Sequence, residues 1–182
     1  MKWRNSDVQY GWLAAGLHWL MLLLLVAIFA TMEMRGFYPK GSAAREAMKT
    51  WHYMLGISVL ALAAVRLLVH FVGPVPAISP APTKRQHAGA SLMKIALYVF
   101  MLAMPLLGWA LLSAKGAPIP FFGSQLPALL SKAKALAESL KEVHETGAII
   151  GYILIGSHAM AALYHHYLVR DDTLRRMLPK WD

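Results

Sequence analysis

The chain of 182 residues contains no cysteine. This absence excludes disulfide bonds, thiolate zinc sites and iron–sulfur clusters held by cysteine. It also excludes covalent attachment of a cofactor through the usual cysteine pair. Any metal or prosthetic group must therefore be held by other side chains, and the chain has eight histidines that are able to do so.

Acidic residues are also scarce, with nine Asp and Glu against eighteen Lys and Arg, so the formal net charge is +9. The basic residues lie almost wholly outside the long apolar segments. In a soluble protein such an excess would suggest nucleic acid as a partner. Between apolar segments it indicates contact with the membrane surface or with anionic ligands, and we expect no nucleic acid partner.

The apolar residues, 58% of the chain, come in long blocks instead of the dispersed pattern of a soluble domain. A helix needs about 20 mostly apolar residues to cross a hydrocarbon core of roughly 30 Å. Four segments meet this requirement, at about 11–33, 52–73, 91–113 and 144–168. The sequence therefore predicts an all-α fold, an integral membrane four-helix bundle in which residues 1–182 form a single membrane domain.

The longest connection between predicted spans covers about 114–143. Its apolar residues recur at steps of three and four, with charged residues between them: Leu126, Leu129, Ala133, Leu136, Leu140 and Val143. This pattern predicts an amphipathic helix over about 126–143, lying in the membrane interface before the fourth span.

Four spans place both termini on one side of the membrane. The tails and the middle loop carry nine basic residues, whereas the other two loops carry eight. The positive-inside rule therefore leans toward cytoplasmic N- and C-termini. The first apolar run is too long for a cleaved signal peptide, and no small-residue cleavage motif follows it, so we expect it to stay as a helix.

Four histidines occupy matching depths in the predicted spans. His144 opens the fourth span, and His158 follows it by 14 residues, which is about 21 Å along a helix and within about 40° of the same face. His52 opens the second span at the depth of His144, and His18 lies near the start of the first span at the depth of His158. Two histidines from facing helices at one depth are what axial ligation of a haem requires. The sequence thus predicts two non-covalent haems b, each held by a histidine pair.

Other interpretations of these histidines fit the pattern less well. One intramembrane histidine is about as often an interhelical hydrogen-bond donor as a ligand, but four in two depth-matched pairs favour ligation. A zinc or copper site would be incomplete with two ligands at each depth. His70 is five turns from His52 on the same face, but it lies at the end of its span, where snorkelling to the interface is expected.

Arg66 follows His52 by the same 14 residues, so it faces inward at the depth of His18 and His158. A buried arginine requires an anion, and a haem propionate provides one. Gly56, Gly147 and Gly151 share the inward faces, where small residues let a macrocycle or a neighbouring helix approach. His165 shares the face of His158 two turns beyond it. It is either an interface residue or a proton donor to a ligand near the haem at that depth.

Several short motifs in order along the chain resemble the prokaryotic cytochrome b561 family, and in particular its superoxide oxidase members. They include His18-Trp19, Trp51-His52, Val65-Arg66-Leu67-Leu68, Val143-His144-Glu145 and Gly156-Ser157-His158. The resemblance covers nearly the whole chain. It implies four helices, two haems b with the four ligands named above, a cytoplasmic N-terminus in the bacterial inner membrane, and electron transfer from superoxide at the outer face to ubiquinone near the inner haem.

Two axial histidines leave no open position on the iron, so we expect oxygen species to react at the haem edge. A basic outer face would concentrate the superoxide anion, and Arg35, Lys40 and Lys115 are the candidate steering residues. No obligate protein partner is predicted. Two alternatives stay open: a cytochrome b subunit that relays electrons for a separate dehydrogenase or another donor, and a haem-free membrane protein with buried histidines.

Overall fold

A computed structural model of the chain describes residues 3–178. Four long helices dominate it: α1 (Trp12–Arg35), α2 (Ala43–Val72), α3 (Lys84–Lys115) and α4 (Lys134–Tyr164). Each is long and apolar enough to cross a membrane. The prediction of an all-α membrane four-helix bundle is therefore confirmed.

The helices extend beyond the apolar blocks because capping residues, not hydropathy, decide where they begin and end. The side chain of Ser42 accepts a hydrogen bond from the Arg45 amide and starts α2 nine residues before the second apolar block. Thr83 and Gln86 form a capping box at the start of α3. Gly116 ends α3 in the left-handed conformation, with φ at 66°.

Neighbouring helices in the chain make the close backbone contacts: α1 with α2, α2 with α3, and α3 with α4. A small core of Met21, Leu25, Val59, Ala63 and Met101 joins the first three helices. Most other large apolar side chains point outward; Leu23, for example, is 65% exposed. An apolar exterior of this extent is suited to lipid, in which every backbone polar group must be satisfied within the helices.

The bundle has two chemically different ends. The end of α1, the start of α2, the end of α3 and the start of α4 share one of them, which we call the loop end. Residues 3–11, the linker 73–83 and residues 165–178 share the other, which we call the tail end.

The amphipathic helix predicted over about 126–143 is wrong in its bounds. Residues 126–133 are not helical, and α4 begins at Lys134 and runs without a break into the fourth span. Two amides of this stretch donate instead to the end of α3, Leu129 to the Ser113 hydroxyl at 3.0 Å and Ala133 to the Ala114 carbonyl at 2.9 Å. Pro127 further disfavours helix at the residue before it.

A short hairpin, which the sequence reading missed, precedes this stretch. Strands β1 (Pro120–Phe121) and β2 (Ser124–Gln125) pair antiparallel around a two-residue turn of Phe122 and Gly123, both with positive φ. The amide of Phe122 donates to the Met54 sulfur at 3.4 Å, and its ring meets the edge of Trp51. The hairpin therefore lies on α2 at the loop end, next to His52.

Long-range hydrogen bonds join the three segments of the tail end. The Trp19 indole donates to the Met177 carbonyl at 2.8 Å, and the Ala77 amide donates to the Asp7 carbonyl at 2.8 Å. The Ser79 amide donates to the Asp172 carboxylate at 2.9 Å. Buried Arg176 donates to the Pro76 carbonyl and lies over the Tyr10 ring. These bonds hold the C-terminal segment across the tail end of the bundle.

We predict that Gly151→Ala destabilises the bundle by about 1–3 kcal/mol, because a Cβ at this position would overlap the Phe100 ring. Gly156→Ala is the matched control on the same helix, since a Cβ there meets nothing within 4 Å. Its better helix propensity makes it neutral or stabilising by up to about 1 kcal/mol. Unfolding in detergent followed by circular dichroism measures both variants, and equal effects would contradict the packing argument.

Candidate haem-binding sites

The pair at the loop end is formed by His52 of α2 and His144 of α4, whose ring centres are 6.2 Å apart. Nδ1 of His52 donates to the Ile28 carbonyl of α1 at 3.2 Å. A carbonyl only accepts, so this bond fixes the proton on Nδ1 and leaves the lone pair on Nε2. This arrangement is typical of a metal-binding histidine oriented by a backbone carbonyl. Nδ1 of His144 is buried and forms no hydrogen bond among the described residues.

The pair at the tail end is formed by His18 of α1 and His158 of α4, with ring centres 6.1 Å apart. A guanidinium nitrogen of Arg66 from α2 lies 3.1 Å from Nδ1 of His18. Arg66 also lies beside the Tyr98 ring of α3. All four helices thus contribute to the surroundings of this pair.

Helix α4 supplies one histidine to each pair, and the two are separated by 14 residues, or about 21 Å. Gly151 lies midway between them. Its missing side chain makes room for the ring of Phe100 from α3 and for Phe29 from α1, which itself contacts Tyr152 at 4.2 Å between ring centres. An aromatic layer therefore separates the two histidine pairs.

The geometry of each pair fits haem. Imidazole nitrogens bind metal ions at about 2.0 Å, so two axial imidazoles on one metal have ring centres about 6 Å apart, as both pairs do. Helix α4 makes its close backbone contacts with α3, whereas it faces α1 and α2 mainly across side chains. Within residues 3–178 no group of three or more His, Cys, Asp or Glu could hold a bare metal ion. Two protein ligands suffice for haem, whose porphyrin provides the other four.

The sequence predicts Arg66 at the depth of His18, next to a haem propionate. In the structure its guanidinium group instead hydrogen-bonds to the ring of His18. An arginine only donates, so its bond requires a lone pair on Nδ1 of His18. Binding of a metal through Nε2 requires a proton on the same Nδ1. The two arrangements exclude each other, so haem ligation by His18 through Nε2 releases Arg66. A propionate of the haem is the anion available to accept it, and that role stays a prediction.

The inward glycines are occupied by neighbouring helices. A Cβ at Gly147 would overlap the Met104 sulfur of α3, and one at Gly56 would touch Ile28 of α1 at 3.6 Å. Gly108 of α3, which the sequence analysis did not single out, admits the His144 ring, because a Cβ there would lie 3.2 Å from its Cε1 atom. The sequence left two roles open for the inward glycines, close approach of a macrocycle or of a neighbouring helix. The structure shows close approach of a neighbouring helix.

His165 lies where α4 changes into a single π-helical turn, His165–Val169. Its Nδ1 is 2.5 Å from a carboxylate oxygen of Asp171, whose side chain is 2% exposed. Burial favours the neutral acid, but hydrogen bonds from His165 and Thr173 outweigh it and hold the pKa of Asp171 below its ordinary value. Neither the π-helical turn nor the left-handed Arg170 that returns the chain toward α4 leaves a periodic signal, so the sequence reading missed Asp171.

The three steering candidates share the loop end with His52 and His144. Arg35 and Lys115 are the last residues of α1 and α3, and Lys40 lies in the turn before α2. Lys40 and Lys115 are exposed, whereas Arg35 is partly buried and its Nε has no hydrogen-bond partner among the described residues. Three other basic residues of this end are engaged, Lys49 with Glu46, Lys141 with Glu145, and Arg45 with two carbonyls, whereas Lys132 and Lys134 are exposed and form no ion pair among the described residues.

Comparison with known proteins gives consistent matches over almost the whole length. The profile of the prokaryotic cytochrome b561 family matches residues 9–180. Cytochrome b561 homolog 1 of Escherichia coli K12 is 43% identical over 164 residues, which cover 90% of this chain and 93% of that protein. A protein of Yersinia pestis named probable superoxide oxidase CybB is 37% identical over 172 residues, covering 94% and 97%. Cytochrome b561 homolog 2 of Escherichia coli K12 is 30% identical over 188 residues, covering 99% and 96%.

We predict that replacing one histidine of a pair by leucine removes one haem of two. His144→Leu and His158→Leu should each contain about one haem per chain, because one remaining axial imidazole holds haem poorly. The pyridine haemochrome assay on purified protein gives the ratio. The exposed His87, changed to Gln, is the control and should retain both haems. Full haem content in either leucine variant would refute the assignment of that pair.

A second prediction concerns Arg66. Arg66→Leu should lower the midpoint potential of one haem only, by roughly 50 mV, because a nearby positive charge favours the added electron by about 1 kcal/mol. Arg66→Lys preserves the charge and should restore most of the potential. Redox titration followed at the b-type absorption bands measures both. Equal shifts of the two haems, or no shift, would count against this placement of the charge.

Proposed function

The chain belongs to the prokaryotic cytochrome b561 family, and we propose that it is a dihaem cytochrome b that oxidises superoxide at the loop end and reduces ubiquinone near the tail-end pair. Members of the family are redox proteins that bind haem b. The protein is accordingly a multi-pass membrane protein of electron transport. The number of haems, the donor, the acceptor and the orientation are the proposed parts.

The observation that carries the proposal is the presence of two histidine pairs at opposite ends of one bundle, both completed by α4. A single pair would serve a cofactor at one membrane face. Two pairs about 21 Å apart along α4 serve both faces. Haem b bound between each pair would provide one-electron redox chemistry at that depth. His18, His52, His144 and His158 are the residues that would hold it.

We assign the reaction with the electron donor, superoxide, to the loop end. Superoxide is a small anion, and exposed cations near a binding site raise the rate at which it arrives. Within residues 3–178, neither Lys40 nor Lys115 forms an ion pair. With haem held between the paired histidines, both ligand positions outside the porphyrin would be taken by imidazole, and oxygen species would be kept off the metal. The name of the Yersinia pestis relative, probable superoxide oxidase, supports this choice of donor.

We assign the reaction with the electron acceptor, ubiquinone, to the tail end. Ubiquinone is lipid-soluble, and the helices around His18 and His158 expose apolar side chains such as Leu163 and Leu68 to the membrane. The reduction consumes two protons, and the titratable His165 and His166 lie at this end. We place the termini in the cytoplasm of a bacterium and the protein in its inner membrane, since the tail end carries slightly more basic residues.

We predict that a pulse of superoxide reduces the haems of the purified protein without any partner. Reduction is followed by the b-type absorption bands in a stopped-flow instrument, with superoxide dismutase as the control that removes the donor. A protein that stays oxidised under superoxide but is reduced by a co-purifying dehydrogenase would instead be an electron-relay subunit, which is the alternative function. Absence of b-type bands would exclude both.

We also predict that the exposed lysines of the loop end raise the rate at which superoxide reaches the protein. The double variant Lys40→Gln/Lys115→Gln should lower the rate of haem reduction by superoxide several-fold at low ionic strength. The difference should shrink toward zero in about 1 M salt, where the screening length is roughly 3 Å. Lys84→Gln/Lys94→Gln, which likewise removes two exposed charges but near the tail end, is the matched control. An equal loss in the control would show that only net charge matters.

A further inference from the structure

We propose that the face formed by α2 and α3 at the tail end binds the headgroup of one anionic phospholipid through His70 and Lys94. This site is separate from the two histidine pairs. It goes beyond the proposed function, because it requires neither superoxide nor quinone. Three features carry it: a cluster of basic side chains, the depth of that cluster in the membrane, and the apolar surface beside it.

His70 of α2 and Lys94 of α3 lie at one level of the bundle. The two helices run in opposite directions, and the guanidinium group of Arg66 lies 5.9 Å from the centre of the Tyr98 ring, which relates their positions. One turn toward the tail end leads from Arg66 to His70 on α2 and from Tyr98 to Lys94 on α3. Accordingly, the charges that act on His70 are those of Lys94 and Arg66.

These basic side chains have no acidic partner within residues 3–178. Lys94 is exposed, and none of the ion pairs among the described residues includes it, His70 or Arg66. Arg66 is directed inward to the ring of His18, so it adds positive potential without reaching an external ligand. Basic groups held close together at low dielectric are stabilised by an anion. His70 and Lys94 are the two donors that an anion from outside the protein can reach.

The depth of these two residues is that of the phospholipid headgroups. Helix α2 ends at Val72, two residues beyond His70, and the proline-rich linker follows. The exposed Trp12 begins α1 at the same end of the bundle, and tryptophan is enriched where a membrane meets water. The long side chain of a lysine near such a boundary extends toward the headgroups. A lipid phosphate at this level is therefore within reach of both His70 and Lys94.

The surface next to the basic pair is apolar and faces the membrane. On α3 the exposed Leu92, Ile95 and Val99 recur at steps of three and four, so they form one outward stripe. On α2 the exposed Leu68 and Phe71 flank it. Acyl chains fit this surface, whereas a soluble anion would gain only the contacts with the basic pair. Basic sites between transmembrane helices on the cytoplasmic side, where we place the tail end, bind the headgroups of anionic lipids.

Native mass spectrometry of the purified holoprotein in detergent tests the proposal, with dioleoylphosphatidylglycerol as the anionic probe and dioleoylphosphatidylcholine as the zwitterionic comparison. We expect the wild type to bind one phosphatidylglycerol on the order of tenfold more tightly, since each basic residue near an anionic membrane surface contributes about fivefold. His70→Gln/Lys94→Gln should remove this preference. His87→Gln/Lys134→Gln removes the same two residue types at exposed positions elsewhere, and this matched control should retain the preference.

Equal binding of the two lipids by the wild type, or a double variant that keeps the preference, would overturn the proposal. Displacement of the lipid by excess inorganic phosphate would also overturn it, because the site would then bind anions in general. A dimer that dissociates in the double variant while lipid binding is unchanged would assign this face to a second copy of the chain. If the double variant does not fold, Lys94→Glu decides, since it changes one exposed side chain and should abolish the preference through repulsion.

Discussion

Inside an apolar bundle, a polar side chain needs a partner, and much of the structure of this protein depends on that requirement. An imidazole at membrane depth must be hydrogen-bonded, paired or bound to a metal. Here four imidazoles meet in two pairs, and the surrounding structure follows from them. Helix α4 makes its close backbone contacts with α3 and not with α1 or α2, Gly108 leaves space for the His144 ring, and Ile28 provides the carbonyl that orients His52.

The parts that sequence predicted are those governed by local periodicity. Span positions follow from hydropathy, and the pairing of His18 with His158 and of His52 with His144 follows from helical rise and rotation. The features that the sequence did not predict depend on hydrogen bonds between backbone groups and residues distant in the chain, or on irregular turns. Residues 126–133 remain non-helical because their amides bond to the end of α3, and Asp171 reaches His165 through an irregular turn. Amphipathic spacing alone detects neither.

The two ends of the bundle differ in the way they are closed. The loop end is covered by a small hairpin held to α2 by Phe122 and by connections whose cations remain partly exposed. The tail end is tied by hydrogen bonds among three separate chain segments, with Arg176 and Asp171 buried in it. A charged reactant that arrives from water and a lipid-soluble one that arrives from the membrane call for different entrances, and this asymmetry suits such a division.

Arg66 makes the two ends of the bundle differ in electrostatics as well. It lies six residues inside the end of α2 and contacts the tail-end pair, where its charge is shielded little by solvent. Arg35, the basic residue nearest the loop-end pair in α1, is the last residue of its helix and closer to water. His52 moreover donates to a backbone carbonyl, which would make its ring a more basic ligand and favour the oxidised form of a bound metal. With a haem at each pair, as we propose, both effects would stabilise an added electron more at the tail-end pair than at the loop-end pair. The same side chains that satisfy the buried histidines would then bias electron movement from the loop end toward the tail end.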